Sequence, residues 1–196
     1  MEQIQIIRSP VELNLDDYSL KGTHIFNQHK KLKDLSGIFG DEKAFTGMNP
    51  EQTAYTVQAW LPVKEGTSGG LFFGATTLMP GKVGDEYFMT RGHFHNLSDR
   101  SEYYWGVKGK GVLILMDRDR RTWGEEMLPG SLHYIPAHVA HRVANTGSSN
   151  LIFGACWPSD AGHNYEEISV NGFSARLVEK EGVPALVYSE GMENRG

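Results

Sequence analysis

Residues 84–111, GDEYFMTRGHFHNLSDRSEYYWGVKGKG, and residues 130–145, GSLHYIPAHVAHRVAN, carry the pattern that decides the fold. His93 and His95 form an H-x-H pair, Glu102 follows His95 by seven residues, and His141 comes 39 residues after Glu102. In a β-strand, side chains two apart share a face. The spacing therefore predicts that His93-Phe94-His95 offers two imidazoles to one side of a sheet and buries a ring on the other. Three imidazoles and a carboxylate make a shell for a divalent transition metal. That shell closes only if Glu102 and His141 arrive on neighbouring strands, so the expectation concerns fold as well as chemistry. Nitrogen and oxygen ligands without thiolate suit Fe(II), Mn(II), Ni(II) or Zn(II). One ion per chain is expected, with Fe(II) first among these.

Outward from this stretch, the apolar period is two. Tyr55, Val57, Ala59 and Leu61 alternate with Thr56, Gln58 and Trp60, a half-buried strand. Residues 71–79 read as the next strand, ended by Pro80-Gly81. Residues 87–95 and 101–107 follow, separated by a polar loop. Further strands are expected at 112–117, 121–127, 133–135, 141–144 and 151–156, with a charged hairpin tip at Asp117-Arg118-Asp119-Arg120. A last hairpin joins 173–179 to 185–188. Short strands at such regular spacing predict a sandwich or barrel. Tyr103 and Trp105, on the opposite parity to Tyr104, are expected in the core, as is Cys156.

Residues 1–54 carry weaker signals and are read as an arm that wraps the barrel of residues 55–190 or a partner subunit. Residues 4–7 suit an edge strand ended by Pro10. Leu32, Leu35 and Ile38, three apart, suit a short amphipathic helix over 29–38. With 196 residues the chain is expected to form one domain with a substantial core. The formal charge of −5 and the lack of a Lys/Arg run argue against nucleic acid as a partner. One cysteine excludes an internal disulfide. No apolar stretch has the length of a membrane span, so a cytoplasmic protein without a membrane partner is expected.

His93-x-His95-x6-Glu102-x6-Gly109 resembles the first cupin motif, and Gly130-x5-Pro136-x4-His141-x3-Asn145 resembles the second. Tyr87 and His138 stand where those motifs usually have glycine. The long gap before Glu102, with T-x-G-H-x-H from Thr90, E-x-Y from Glu102 and A-G-H-N-Y from Ala161, resembles the cupin-type phosphoglucose isomerases. The resemblance covers roughly residues 70–170. It implies an all-β double-stranded β-helix, a jelly-roll barrel. It also implies a homodimer acting on a sugar phosphate, interconverting glucose 6-phosphate and fructose 6-phosphate. Phosphate contacts are implied at Thr76, Thr90 and the Gly92 backbone. Glu102, Tyr104, His163 and Tyr165 are implied in substrate binding and proton handling. Trp157 stands where the family has a tyrosine near the phosphate, and its indole N–H donates but cannot accept. His24, His29, His133 and His138 are read as structural or exposed. A cupin dioxygenase and a non-catalytic sugar-binding cupin are the competing readings. The E-x-Y and A-G-H-N-Y elements argue against the first, and the complete ligand set against the second.

Overall fold

The computed structural model describes residues 4–189. It opens with β1 (Val11–Leu13) and β2 (Leu20–Gly22), an antiparallel pair. β3 (Ile25–Lys31), a 3-10 turn over Leu32–Leu35 and the short α1 (Glu42–Thr46) follow. Two expectations fail in this part. Residues 4–7 form no strand, and Ile4, Ile6 and Ile7 stand in solvent. The spacing of Leu32, Leu35 and Ile38 yields one 3-10 turn and no helix over 29–38. The period of a 3-10 turn is three, so it buries Leu32 and Leu35 together. Residues 29–31 are strand instead, paired with residues 53–56.

β4 (Thr53–Trp60), β5 (Leu71–Leu78), β6 (Lys82–Val83) and β7 (Glu86–Tyr87) come next, then β8 (Glu102–Lys108) and β9 (Gly111–Met116). β10 (Thr122–Met127), β11 (Leu132–Ile135), β12 (Ala140–Asn145) and β13 (Leu151–Pro158) complete the barrel. α2 (Glu166–Asn171) leads to the hairpin of β14 (Ala175–Lys180) and β15 (Val183–Tyr188). Glu181 and Gly182, both at positive φ, make its two-residue turn.

The pairing is antiparallel throughout. One sheet has the order β11-β8-β13-β5-β4-β3, a second β10-β9-β12, and a third β15-β14-β7-β6. The first two sheets form the jelly-roll barrel of the cupin type, as expected. β9 reads VLILM without alternation because both of its faces are covered. Leu113 and Leu115 share the inner face with Val143 and His141, while Ile114 and Met116 point the other way, and all four β9 residues are fully buried. Ser174, just before β14, donates its N–H to the Met116 sulfur on that outer side.

The six-stranded sheet differs, since only its inner face is covered. Tyr104, Ala155, Gly74 and Ala59 lie in one register row on that inner face. Tyr103, Cys156, Phe73 and Trp60 form the adjacent row on the outer face. The parity that separates Tyr103 and Trp105 from Tyr104 therefore holds, but it does not take them into the core. Tyr103 is 48% exposed and Cys156 is half-buried, because no further layer of the described residues lies over that face.

The strand expected over 87–95 is also interrupted. After β7 the chain makes single bridges, Met89 to Ala144, His93 to His141 and Phe94 to Asn164. Gly92, at φ +77°, breaks the extended run. A Cβ there would come within 2.9 Å of Phe173 and 3.0 Å of Arg142, so the position needs glycine for space and for conformation.

Candidate active site

The two histidines of the H-x-H pair are set by backbone pairing across the barrel mouth. His93 N–H donates to His141 C=O (3.3 Å) and His141 N–H to His93 C=O (3.1 Å). Phe94 turns the other way and is buried, with the Arg118 guanidinium 3.8 Å above its ring. Glu102, the first residue of β8, reaches in from the six-stranded sheet. His141, on β12, reaches in from the three-stranded one. Glu102 and His141 thus come from opposing sheets, and the expected neighbouring strands are corrected. A closed barrel lets facing walls do what adjacent strands would do in a flat sheet.

The four donor atoms of His93, His95, Glu102 and His141 lie within 4.8 Å of one another, and all four residues are buried. The orientation of the rings is held from behind. His95 Nδ1 lies 2.9 Å from the Arg100 carbonyl, and His141 Nδ1 lies 3.4 Å from that of Val139. An Nδ1–H donated to a carbonyl leaves Nε2 as the lone-pair nitrogen, which is how metal-binding histidines are prepared. Nε2 of His93, His95 and His141 and Oε1 of Glu102 are buried without a directed hydrogen bond to any described group. His141 Nε2 and Glu102 Oε1 stand 2.5 Å apart, close but not so directed. Buried polar atoms are nearly always partnered. Four that converge on one point, with three nitrogens and one carboxylate oxygen, fit a divalent cation.

Electrostatics agree with that fit at His93 and Glu102, whereas at His95 burial is outweighed by the Glu102 carboxylate, which raises the pKa above 6.5. Burial holds the His93 imidazole well below its ordinary 6.5, so the ring stays neutral and able to coordinate. Burial alone would raise the Glu102 carboxyl, but His141 and His95 beside it outweigh burial and bring it down to about 2.

The cluster faces a cavity of about 400 Å³. Thr76, Thr90, Gly92, Tyr104, Trp157, His163 and Tyr165 also line it, so every residue singled out for substrate contact opens onto one space. Thr76 and Val57 are register partners on β5 and β4, with Gln28 of β3 next in the row. Thr90 Oγ1 accepts from Val143 N–H (3.0 Å), which leaves its own proton free to donate. The loop bearing His163 and Tyr165 is fastened to the H-x-H segment. Asn164 N–H donates to Phe94 C=O (2.8 Å), and Leu97 N–H to Ala161 C=O (3.0 Å).

The His163 and Tyr165 rings stack at 6° with centroids 5.6 Å apart, and His163 lies 4.4 Å from the His93 ring. Loss of hydration against the cavity wall lowers the His163 pKa, although the ring still reaches solvent at the mouth. Burial and the nearby Glu102 charge push Tyr104 well above 10, so that phenol keeps its proton. Arg91 and Gln28 line the same cavity without having been singled out in the sequence. For Arg91 the signal was present, because it sits inside the Thr90 to His95 motif.

Comparison with known proteins completes the picture. The sequence model of the family described as Glucose-6-phosphate isomerase (GPI) matches residues 29–188. The chain is 42% identical to a glucose-6-phosphate isomerase of Thermococcus litoralis over 153 residues, covering 78% of this chain and 80% of that protein. It is 38% identical to one of Sinorhizobium medicae, over 76% of this chain and 71% of that protein. Among solved structures, oxalate decarboxylase of Bacillus subtilis overlays with a TM-score of 0.44 at 19% identity. That overlay covers 56% of this chain and 26% of the other, too little to bear on chemistry. The matched span and the identity to whole relatives settle the family: the chain belongs to the cupin-type glucose-6-phosphate isomerases.

Proposed function

We propose that this protein is a metal-dependent aldose–ketose isomerase interconverting glucose 6-phosphate and fructose 6-phosphate. The observation that carries the reading is the convergence of His93, His95, Glu102 and His141 beside a cavity that three of them, His93, Glu102 and His141, line together with Tyr104, His163 and Tyr165. A divalent metal held by those four would act as a Lewis acid on the C1 and C2 oxygens of the sugar. Thr76, Thr90 and the Gly92 N–H would hold the phosphate.

The isomerisation moves one hydrogen from C2 to C1 and one proton between O2 and O1. Tyr104, which keeps its proton, is the donor for an oxygen gaining negative charge, and neutral His163 is the acceptor. Tyr165, stacked on His163, holds that ring in place. Two carbon steps suit this arrangement. Glu102 can lift the C2 proton and return it to C1, or the hydrogen can pass directly as hydride. A carboxylate beside a divalent cation would be a weakened base, which favours the direct transfer. Turnover in D2O separates the two routes. Deuterium on the product carbon requires the proton route, and retention of a C2 deuterium label at C1 requires the hydride route.

Three imidazoles and a carboxylate accommodate Fe(II), Mn(II), Ni(II) or Zn(II), and elemental analysis of protein purified without added metal identifies the resident ion. We read the enzyme as cytoplasmic and homodimeric. The uncovered outer face of the six-stranded sheet, with Tyr103, Leu132 and Tyr134 exposed, is where a second copy would find apolar surface. A coupled assay for glucose 6-phosphate formed from fructose 6-phosphate tests the whole reading. Activity should vanish after chelation and return with Mn(II) or Fe(II), and full activity in protein shown to be metal-free would overturn it.

A further inference from the structure

A sugar phosphate brings a dianion into a partly enclosed space, and such a charge needs a counter-charge as well as neutral donors. The donors named so far, Thr76, Thr90 and the Gly92 N–H, are all neutral. Among the described side chains lining the cavity, Arg91 is the one arginine or lysine, and it lies between Thr90 and Gly92 in the chain. Its surroundings differ from those of most other arginines, and Arg142, which has no ion pair among the described residues, is buried against Phe173 and does not line the cavity. Arg8, Arg100, Arg118, Arg121 and Arg176 each meet a carboxylate. Arg91 meets none among the described residues. One of its terminal nitrogens, Nη2, donates to Ser169 Oγ (2.9 Å), and its guanidinium lies 5.4 Å from the centroid of the Tyr165 ring. Ser169 Oγ donates in turn to the Tyr165 carbonyl (2.8 Å), so α2 carries the anchor. A guanidinium has five N–H donors in a planar fork, and one anchoring bond leaves the rest free for a phosphate.

We infer that Arg91 is the phosphate-recognising cation of this site, the residue that makes the enzyme choose a phosphorylated sugar over the free one. The inference deepens the isomerase reading and rests on it for the identity of the sugar. Arg91 also stacks on Tyr165, which stacks on His163. Engagement of the phosphate therefore steadies the pair that handles the oxygen protons, so that binding energy remote from the reacting carbons serves catalysis.

The test compares Arg91→Met and Arg91→Lys with the unaltered protein, each loaded with Mn(II) and checked for metal content. Calorimetric affinities are measured for 5-phosphoarabinonate and for arabinonate, which lacks the phosphate. In the unaltered protein the phosphorylated ligand binds far more tightly. In Arg91→Met that preference falls about ten- to a hundredfold, the worth of hydrogen bonds to a charged group. Arg91→Lys, which keeps the charge but loses the fork, falls in between. In the coupled assay, the KM for fructose 6-phosphate rises by a larger factor than kcat falls. An unchanged preference for the phosphorylated ligand in Arg91→Met, with metal bound, overturns the inference. Should Arg91→Met fail to fold, an unchanged preference in Arg91→Lys overturns it equally. The binding arm does not depend on turnover, so absence of isomerase activity in the unaltered protein would count against the function alone.

Discussion

Two clusters in this barrel have the same ingredients and opposite meanings. Each sets buried imidazole against carboxylate. In the first, His133 is buried with both ring nitrogens engaged: Nδ1 lies 2.7 Å from Glu125 Oε2 and Nε2 lies 2.8 Å from Ser131 Oγ. Ser131 closes the arrangement on the turn after β10, donating to the Leu128 carbonyl and accepting from the Leu128 N–H. In the inner cluster, His93, His95 and His141 direct their Nε2 atoms at one point, and none has a directed partner there. Residue type does not separate the two. What separates them is whether the hydrogen-bonding capacity of the ring is used up within the protein. A satisfied histidine holds a turn in place; three unsatisfied ones aimed together fit a metal ion.

The largest effect expected from this contrast is on metal. His141→Ala removes a donor that no neighbour replaces. We expect substoichiometric metal by elemental analysis and loss of isomerase turnover beyond detection in the coupled assay. His133→Ala should keep its full metal complement and its activity. Equal metal loss in both variants would erase the distinction. The chelator experiment gives the same division without mutation, since only the inner cluster loses a partner.

A smaller effect is expected at the edge of the cavity. Thr90 has its oxygen occupied by Val143 N–H but its proton free, so it shares features of both clusters. Thr90→Ala should weaken 5-phosphoarabinonate binding by about 1.5–3 kcal/mol, roughly ten- to a hundredfold, while metal content holds. Thr90→Ser should restore most of it. Unaltered affinity in Thr90→Ala would remove Thr90 from the phosphate site.

The sequence revealed the inner cluster better than the backbone that presents it. The spacing of His93, His95, Glu102 and His141 was enough to single out the four residues that converge. It could not say that Glu102 and His141 face each other across the barrel, since local periodicity reports which face a side chain takes and not which sheet lies opposite. Tyr103 and Trp105 show the same limit: their parity was legible, but coverage of the outer face is a property of layers. The N-terminal segment failed for another reason. A three-residue apolar spacing suits the start of a helix and a single 3-10 turn alike, and tertiary pairing of residues 25–31 decided between them. Arg91 went unassigned although it sits inside the Thr90 to His95 motif, because the motif's spacing does not say which of its intervening side chains turns to the cavity. Its lack of a carboxylate partner exists only in three dimensions.

At the His133 cluster the expected effect is on stability. His133→Ala leaves the Glu125 carboxylate and the Ser131 hydroxyl without their buried partner, at a cost of about 1–3 kcal/mol. At roughly 2–4 °C per kcal/mol for a chain of this size, the melting temperature should fall by several degrees. A melting temperature equal to that of the unaltered protein would mean that the satisfied network holds nothing.

The smallest effect, and the one that sets the two kinds of group against each other in a single titration, is the order of events in acid. Burial depresses the His93 pKa below 6.5, so below that pH the unfolded chain takes up a proton that the folded chain resists. The associated stability is therefore present above about 6.5 and is lost as pH falls towards the folded value. Metal should leave over the same range, because imidazole must be neutral to coordinate. The second group is Asp160, held in a two-point fork by Arg100, with Nε to Oδ1 and Nη2 to Oδ2 both at 2.9 Å. The hydrogen bond from Arg100 lowers the Asp160 pKa from 3.8. Its sign gives the same direction in a lower window: stability present above about 3.8 and lost as pH falls through the folded value. The fork ties the loop carrying Arg100, whose carbonyl holds His95, to the segment before His163. An acid titration followed by metal release and near-ultraviolet circular dichroism should thus show metal leaving first, while the aromatic signal survives. Loosening of the loops should follow below about 3.8, and Asp160→Asn should move only this second step. Release of metal and collapse of the aromatic signal in one transition below 3.8 would mean that the imidazoles are not what holds the ion.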